Sequence, residues 1–302
     1  MWSIVDEWDR RGAVNQGVMV VGLGLMGSAL AKTLLQNDYP VAVWNRTSSK
    51  TEPLVALGAR AALSVAEGVH NSDTILLCLR NYDDCFAVLD DCPSLAGKTI
   101  IQLTTASAGQ ATQMKEWAEK KGARYLDGAI IAYPSGIGTQ GSMLIMAGDE
   151  AAWVASEALI RALGPASRYV GSDVAVPAAL DFAIIFSSVV SQLAVIQGFH
   201  LLEDRDISAD TYADFITPLF GKGVAEGLRK QLQKIEQDDF GQPDATISTW
   251  RSALAEASDT GENPKNTELV ESVQALLGRA IDAGEGEKDL IAMIRYMRGS
   301  NY

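Results

Sequence analysis

Val18-Met19-Val20-Val21-Gly22-Leu23-Gly24-Leu25-Met26-Gly27 is an apolar run ending in three glycines spaced G-x-G-x-x-G, and the helical pattern Ser28 to Gln36 follows directly. An apolar run without alternation reads as a strand buried on both faces. The strand before and the helix after turn a short motif into a dinucleotide-binding fingerprint. Gly22 permits the tight turn, Gly24 lets a ligand approach the backbone, and Gly27 allows the helix to pack closely on the strand. The start of the helix offers unpaired N–H groups and the positive end of a dipole, which suit a diphosphate.

The same alternation continues on the C-terminal side. A strand is predicted at Val41 to Asn45, followed by a helix ending near Gly58, then apolar runs at Thr74 to Leu79 and Thr99 to Leu103. Next come a helix at Ala108 to Lys121, strands at Tyr125 to Ile131 and Ser142 to Ala147, a helix at Glu150 to Leu163 and a strand at Arg168 to Val170. Strands and helices in this order predict a parallel sheet covered on both faces. After Gly171 the strand signal stops. One long apolar helix is expected from Pro177 to about Glu203, then helices at Asp210 to Glu236, Ile247 to Glu256, Thr267 to Ala283 and Lys288 to Arg298, with a loop at Asp259 to Asn266. The expected architecture is α/β: an extension over residues 1–17, a Rossmann domain over 18–173, and an all-α C-terminal domain over 174–302, joined by the long interdomain helix.

Composition narrows the partners. Acids outnumber bases 38 to 25, a net charge of −13, which argues against a nucleic-acid groove because phosphates need clustered Lys and Arg. Cys78, Cys85 and Cys92 follow a seven-residue spacing that matches no common zinc or disulfide pattern, so no metal is expected and free thiols in a reducing cytoplasm are. The first residues mix charges and lack the apolar core of a signal peptide. Phe182 to Phe199 is uncharged and long enough to raise a membrane span. Its Ser187, Ser188, Ser191, Gln192 and Gln197, with Asp181 at its head, point instead to a buried interdomain helix and no membrane.

The end of the second strand distinguishes the two nicotinamide cofactors. An acid there would accept from a ribose 2′-hydroxyl. The sequence is Trp44-Asn45-Arg46-Thr47-Ser48-Ser49-Lys50, with no acid before Glu52. Arg46 can grip a 2′-phosphate with its planar fork, Thr47 can donate a hydroxyl, and Lys50 adds charge. The other reading makes Arg46 and Lys50 a solvated surface pair. The expected NADP contacts are Gly22, Leu23, Gly24, Leu25, Met26, Gly27, Asn45, Arg46, Thr47 and Lys50. Leu79 and Thr105, near the carboxyl ends of the next strands, complete the set.

Asp181 stands on an almost wholly apolar helix, where an unpaired carboxylate is costly. Helical spacing groups it with Ile184, Ile185 and Ser188 on a side that could face a cleft. Catalysis and a structural role, paired with an Arg or favoured by the helix N-terminus, both remain open from the residues alone. Tyr133 and Ser135, in a loop after a strand, and Trp250 are further pocket candidates.

GLGLMG, VWNRTSSK, DGAIIAYPSGIGTQGS and the helix opening PAALDFA together resemble the imine reductases and reductive aminases, a branch of the β-hydroxyacid dehydrogenase superfamily with a 6-phosphogluconate dehydrogenase-like fold. The resemblance runs from residue 18 to about 298. It implies an NADPH-dependent oxidoreductase that reduces a C=N bond to an amine, with reductive amination of a carbonyl by an amine as an extension. It implies Asp181 as the catalytic residue, standing where the superfamily carries lysine, with Ile185 where an asparagine follows one turn later. It places Trp250 and Val189 at the substrate pocket, although Val189 occupies a position where many members have tyrosine, which leaves proton delivery to Asp181, Tyr133 or water. Pro134-Ser135-Gly136-Ile137-Gly138 keeps only part of the superfamily's carboxylate-binding loop. The resemblance also implies a homodimer with intertwined C-terminal domains. Two alternatives remain: a β-hydroxyacid dehydrogenase-like reductase of a small carbonyl compound, and a non-catalytic NADP-binding protein.

Overall fold

Strands β1 (Val18–Val21), β2 (Val41–Trp44) and β4 (Thr74–Leu77) run parallel, in the order β2-β1-β4, and their last residues lie level: Val21 pairs with both Trp44 and Leu77. That register brings the loops after all three strands to one edge of the sheet. The computed structural model describes residues 17–202, 205–220, 222–241, 243, 245–258 and 267–299. The N-terminal extension, Gly17 excepted, and the loop expected at Asp259 to Asn266 lie outside them.

Among the described residues the sheet has eight strands in the order β3-β2-β1-β4-β5-β6-β7-β8, adding β3 (Arg60–Ala61), β5 (Thr99–Gln102), β6 (Arg124–Ile131), β7 (Met143–Gly148) and β8 (Arg168–Tyr169). One expectation is corrected here: the sheet is not wholly parallel, because β6 and β7 pair antiparallel. Between them stands only the 3-10 turn Pro134–Gly136, and without a crossover helix consecutive neighbours must run in opposite directions. Helices α1 (Leu25–Gln36), α2 (Glu52–Val55), α3 (Val65–His70), α4 (Tyr82–Asp90), α5 (Ala108–Lys120) and α6 (Glu150–Leu163) cover the sheet. The sequence reading passed over α3 and α4. Each is short and starts at a side-chain cap: Ser64 accepts from the Glu67 N–H and Asn81 from the Asp84 N–H.

Alternation along β1 divides the core. Val18 and Val20 join one apolar cluster with Leu30, Leu34 and Trp153, while Met19 and Val21 join another with Tyr82, Leu89 and Met114. Both faces of the sheet are therefore closed within the chain.

Helix α7 (Ala175–His200) behaves otherwise. Of its 26 residues only Pro177 and Asp181 are buried, so the expectation of a buried interdomain helix does not hold in the single chain. Phe182, Phe186 and Ile196 are 74%, 61% and 65% exposed. Its length and composition are also sufficient to cross a membrane. The chain divides into two compact units within this helix, after Ile185.

In the second unit, the single helix expected at Asp210 to Glu236 is replaced by α8 (Ala209–Ile216), a 3-10 turn at Thr217–Phe220 and α9 (Lys222–Glu236). Pro218 explains the break, since it lacks an N–H and disfavours helix in the residue before it. The remaining helices are α10 (Ile247–Ser258), α11 (Glu268–Ala280) and α12 (Met293–Arg298). The helix expected to run to Ala283 gives way to a π turn at Ile281–Glu285, where Gly284 takes φ +90°. Phe240, Ile247, Leu277, Ala280, Ala292 and Met293 form this unit's small core.

Candidate functional site

The level strand ends make a cleft of about 420 Å³. Gly22 to Gly27 line its floor, Trp44 to Thr47 and Lys50 one part of its wall, and Cys78, Leu79, Arg80, Asp84 and Val88 another. The loops are tied to one another at their roots. Gly22 N–H donates to Trp44 O (3.0 Å) and Cys78 N–H to Val21 O (2.9 Å).

Each glycine of the motif meets a different demand. Gly22 has φ +97°, and a Cβ there would stand 2.3 Å from the Cys78 carbonyl oxygen. A Cβ on Gly27 would stand 1.9 Å from the Gly22 oxygen, so helix and turn can meet only at glycine. A Cβ on Gly24 would meet nothing within 4 Å, which leaves that backbone open to a ligand. The first helical bond of α1 runs from Ser28 N–H to Gly24 O (3.0 Å), so Leu25, Met26 and Gly27 precede it with N–H groups that have no helical acceptor. No acid stands in this first turn. An open backbone, unpaired N–H groups and a positive helix end fit a diphosphate.

Asn45 is a brace. Its Oδ1 accepts from Leu23 N–H (3.0 Å) and its Nδ2 donates to Thr47 O (3.1 Å), fixing the glycine loop to the turn that carries Arg46. Arg46, Thr47 and Lys50 are exposed on the cleft wall, so their polar groups are open to a ligand.

Leu79 lines the cleft as expected, and a residue overlooked in the sequence holds it there. The buried Thr104 hydroxyl accepts from Leu79 N–H (3.0 Å), and Thr104 N–H donates to Gln102 Oε1 (3.0 Å). Thr105, the residue expected at the cofactor, is exposed and does not line the cleft. The two differ by one position past β5, which is enough to send one side chain inward and the other to solvent. Trp44, Cys78, Arg80, Asp84 and Val88 were also missed. Asp84 and Val88 stand one turn apart on α4, so reading α4 as a helix would have paired them. Burial pushes the Cys78 thiol up to about 12, which leaves it a neutral wall group.

The remaining candidates do not line this cleft. Asp181, in the second turn of α7, is 7% exposed. Burial alone pushes its carboxyl above the usual carboxylate range; among the described residues no cation contributes. Tyr133 is 74% exposed, and Ser135 beside it is exposed too. Ile185 and Val189 are about half exposed on α7, as is Trp250 on α10.

A second buried polar group lies in the same unit. Tyr82, the first residue of α4, and Tyr125 both donate to Asp127 Oδ2, at 2.5 and 2.7 Å. Burial outweighs these two bonds and pushes the Asp127 carboxyl up to about 7.

Residues 17–171 match the NAD binding domain of 6-phosphogluconate dehydrogenase, and residues 173–299 match the NADPH-dependent reductive aminase-like C-terminal domain. The NADPH-dependent reductive aminase of Aspergillus oryzae is 30% identical over 298 residues, covering 94% of this chain and 98% of its own. The solved imine reductase from Myxococcus stipitatus in complex with NADP+ is 31% identical with a TM-score of 0.85, over 93% of this chain and 99% of that one. A reductive aminase from Aspergillus terreus, in complex with NADPH and ethyl-5-oxohexanoate, is 26% identical with a TM-score of 0.86, over 94% and 100%. An NADP-type cleft in the first half and a reductive aminase-like second half thus meet in one chain, which belongs to the family of NADPH-dependent reductive aminases and imine reductases.

Proposed function

We propose that the protein reduces an imine or iminium carbon to an amine at the expense of NADPH. The observation that carries this reading is the match of 94% of the chain to a reductive aminase, with Arg46 and Lys50 exposed in the cleft where they can meet a 2′-phosphate. Bound NADPH supplies the hydride to the C=N carbon. Arg46, Thr47 and Lys50 hold the 2′-phosphate, the N–H groups at the start of α1 hold the diphosphate, and Asn45 keeps the two loops in register.

Asp181 is the catalytic residue. As a carboxylate it stabilises the positive charge of an iminium; with its proton retained it donates that proton to the imine nitrogen. Burial favours the protonated form, in keeping with the second role. Tyr133, Ser135, Ile185, Val189 and Trp250 are the proposed substrate contacts. The cofactor domain is assigned to residues 18–173 and the helical domain to 174–302.

The working unit is a homodimer with intertwined C-terminal domains, in which the apolar faces of α7 are covered by a second copy. What supports this is the exposure of Phe182, Phe186 and Ile196, together with the amide and hydroxyl side chains that interrupt the helix, which suit a protein partner better than lipid. Three free cysteines, all with thiols made less acidic by burial, fit a reducing cytoplasm. NADPH consumption across a panel of cyclic imines and the matching ketones tests the reading: turnover of imines is expected, whereas carbonyl turnover alone, or cofactor binding with no turnover, would replace it.

A further inference from the structure

The cleft holds one cation that the 2′-phosphate reading does not use. Arg80 lies in the loop after β4, and Arg46 in the loop after β2. These strands flank β1, and their ends are level, so the two loops start about 10 Å apart across the glycine turn. A phosphate held between them is within screening distance of both.

The cleft also contains one acid, Asp84, which would repel a 2′-phosphate as any carboxylate there would. Arg80 Nε stands 3.5 Å from Asp84 Oδ2, one helical turn along the chain. Arg80 approaches Asp84 through Nε, and most of its side chain stays exposed and open to a ligand. The Arg80 side chain is 77% exposed and that of Asp84 33%, so the pair lies at the open wall of the cleft. The Asp84 backbone is fixed independently of Arg80, because its N–H donates to the capping Asn81 Oδ1 (2.8 Å). With Arg46, Lys50 and Arg80 against Asp84, this wall is positive in a chain whose net charge is −13.

We infer that Arg80 is a specificity-determining residue for the cofactor: it cancels the charge of Asp84 and supplies a third cation to the 2′-phosphate. This rests on the NADPH reading above and adds a residue to it. A contact to the diphosphate or adenine would weaken phosphorylated and unphosphorylated ligands alike. A role at the 2′-phosphate weakens only the former.

The test is calorimetric titration of the full-length protein with adenosine 2′,5′-bisphosphate and with 5′-AMP, which needs no turnover. Arg80→Ala should reduce the preference for the bisphosphate about tenfold, the effect of one charge-assisted bond. Arg80→Ala with Asp84→Asn should recover part of that preference, because the unmasked carboxylate is gone. Both effects should shrink at about 1 M salt, where screening acts over about 3 Å. Equal weakening of both ligands, or no change in their ratio, overturns the assignment of Arg80. A parent protein with no preference for the bisphosphate overturns the NADPH reading and this inference together.

Discussion

Strand β1 and helix α7 are both apolar, yet they are finished in opposite ways. All four residues of β1 are fully buried, with neighbouring strands on both sides and an apolar cluster on each face. Helix α7 buries two residues of 26 and leaves phenylalanine and isoleucine in the open. Hydrophobic area left in water at roughly 25 cal/mol per Å² is a standing drive to associate. The lesson is that the cofactor unit closes its core within one chain, whereas the helix that carries Asp181 leaves an apolar surface open, which the proposed second copy would cover.

The most disruptive way to break this contrast is Phe186→Glu. Phe186 is 61% exposed in the single chain, so a charge there leaves the chain's own core untouched. A charge buried against a partner is costly, so sedimentation should show a monomer near 32 kDa. NADPH binding should survive in that monomer while imine turnover is lost. A parent that already sediments as a monomer, or a variant that stays dimeric and active, would remove the basis of the comparison.

Asp181→Asn comes next in size. The amide keeps the shape but neither carries charge opposite an iminium nor donates a carboxyl proton. Loss of general acid–base help costs a factor of about 10²–10⁴ in rate. Turnover should fall by that much, with NADPH affinity and melting temperature close to the parent. A destabilised variant with normal activity per folded molecule would make Asp181 structural and move the role to Tyr133.

Arg46→Ala probes the other side of the contrast, where one chain suffices. Its charge-assisted bonds exist only when the 2′-phosphate is present, each contributing about 1.5–3 kcal/mol. NADPH should bind about 10- to 150-fold more weakly and NADH nearly unchanged, in dimer and monomer alike. Equal losses for both cofactors would mean that Arg46 holds something other than the 2′-phosphate.

The contrast also explains what could be read from the sequence. Gly22 to Gly27 and Asn45 to Lys50 are contiguous runs whose geometry is set within a few residues of each strand end, and the structure brings Gly22 to Gly27, Asn45, Arg46, Thr47 and Lys50 to one cleft. Thr104 could not be told from Thr105, because the choice depends on a hydrogen bond to Leu79, 25 residues away. Arg80, Asp84 and Val88 depend on α4, which is only nine residues long and whose start is set by the Asn81 cap. The antiparallel β7 was hidden for a similar reason: direction depends on the connection, not on the apolar run itself. Helix α7 was recognised by its length, but apolar residues all around a helix say that it will be covered and not by what.

The smallest expected effect lies in the cofactor unit's core and should be indifferent to association. The Asp127 carboxyl is pushed from the ordinary 3.8 up to about 7 by burial, even with Tyr82 and Tyr125 donating to it. Between those two values the folded protein holds a proton that the unfolded chain has released. This contribution therefore favours folding at low pH and is lost as pH rises from about 4 to about 7. Asp127→Asn cannot ionise, and its amide oxygen can still accept from a tyrosine. The melting temperature of the variant, measured against the parent, should therefore rise by a few degrees between about pH 5 and pH 8. The same rise should appear when Phe186→Glu is added, since the Asp127 group is enclosed within one chain. A difference that stays flat with pH would mean that Asp127 does not change charge in this range. A rise that vanishes in this variant would mean that the core of the cofactor unit is not enclosed within one chain.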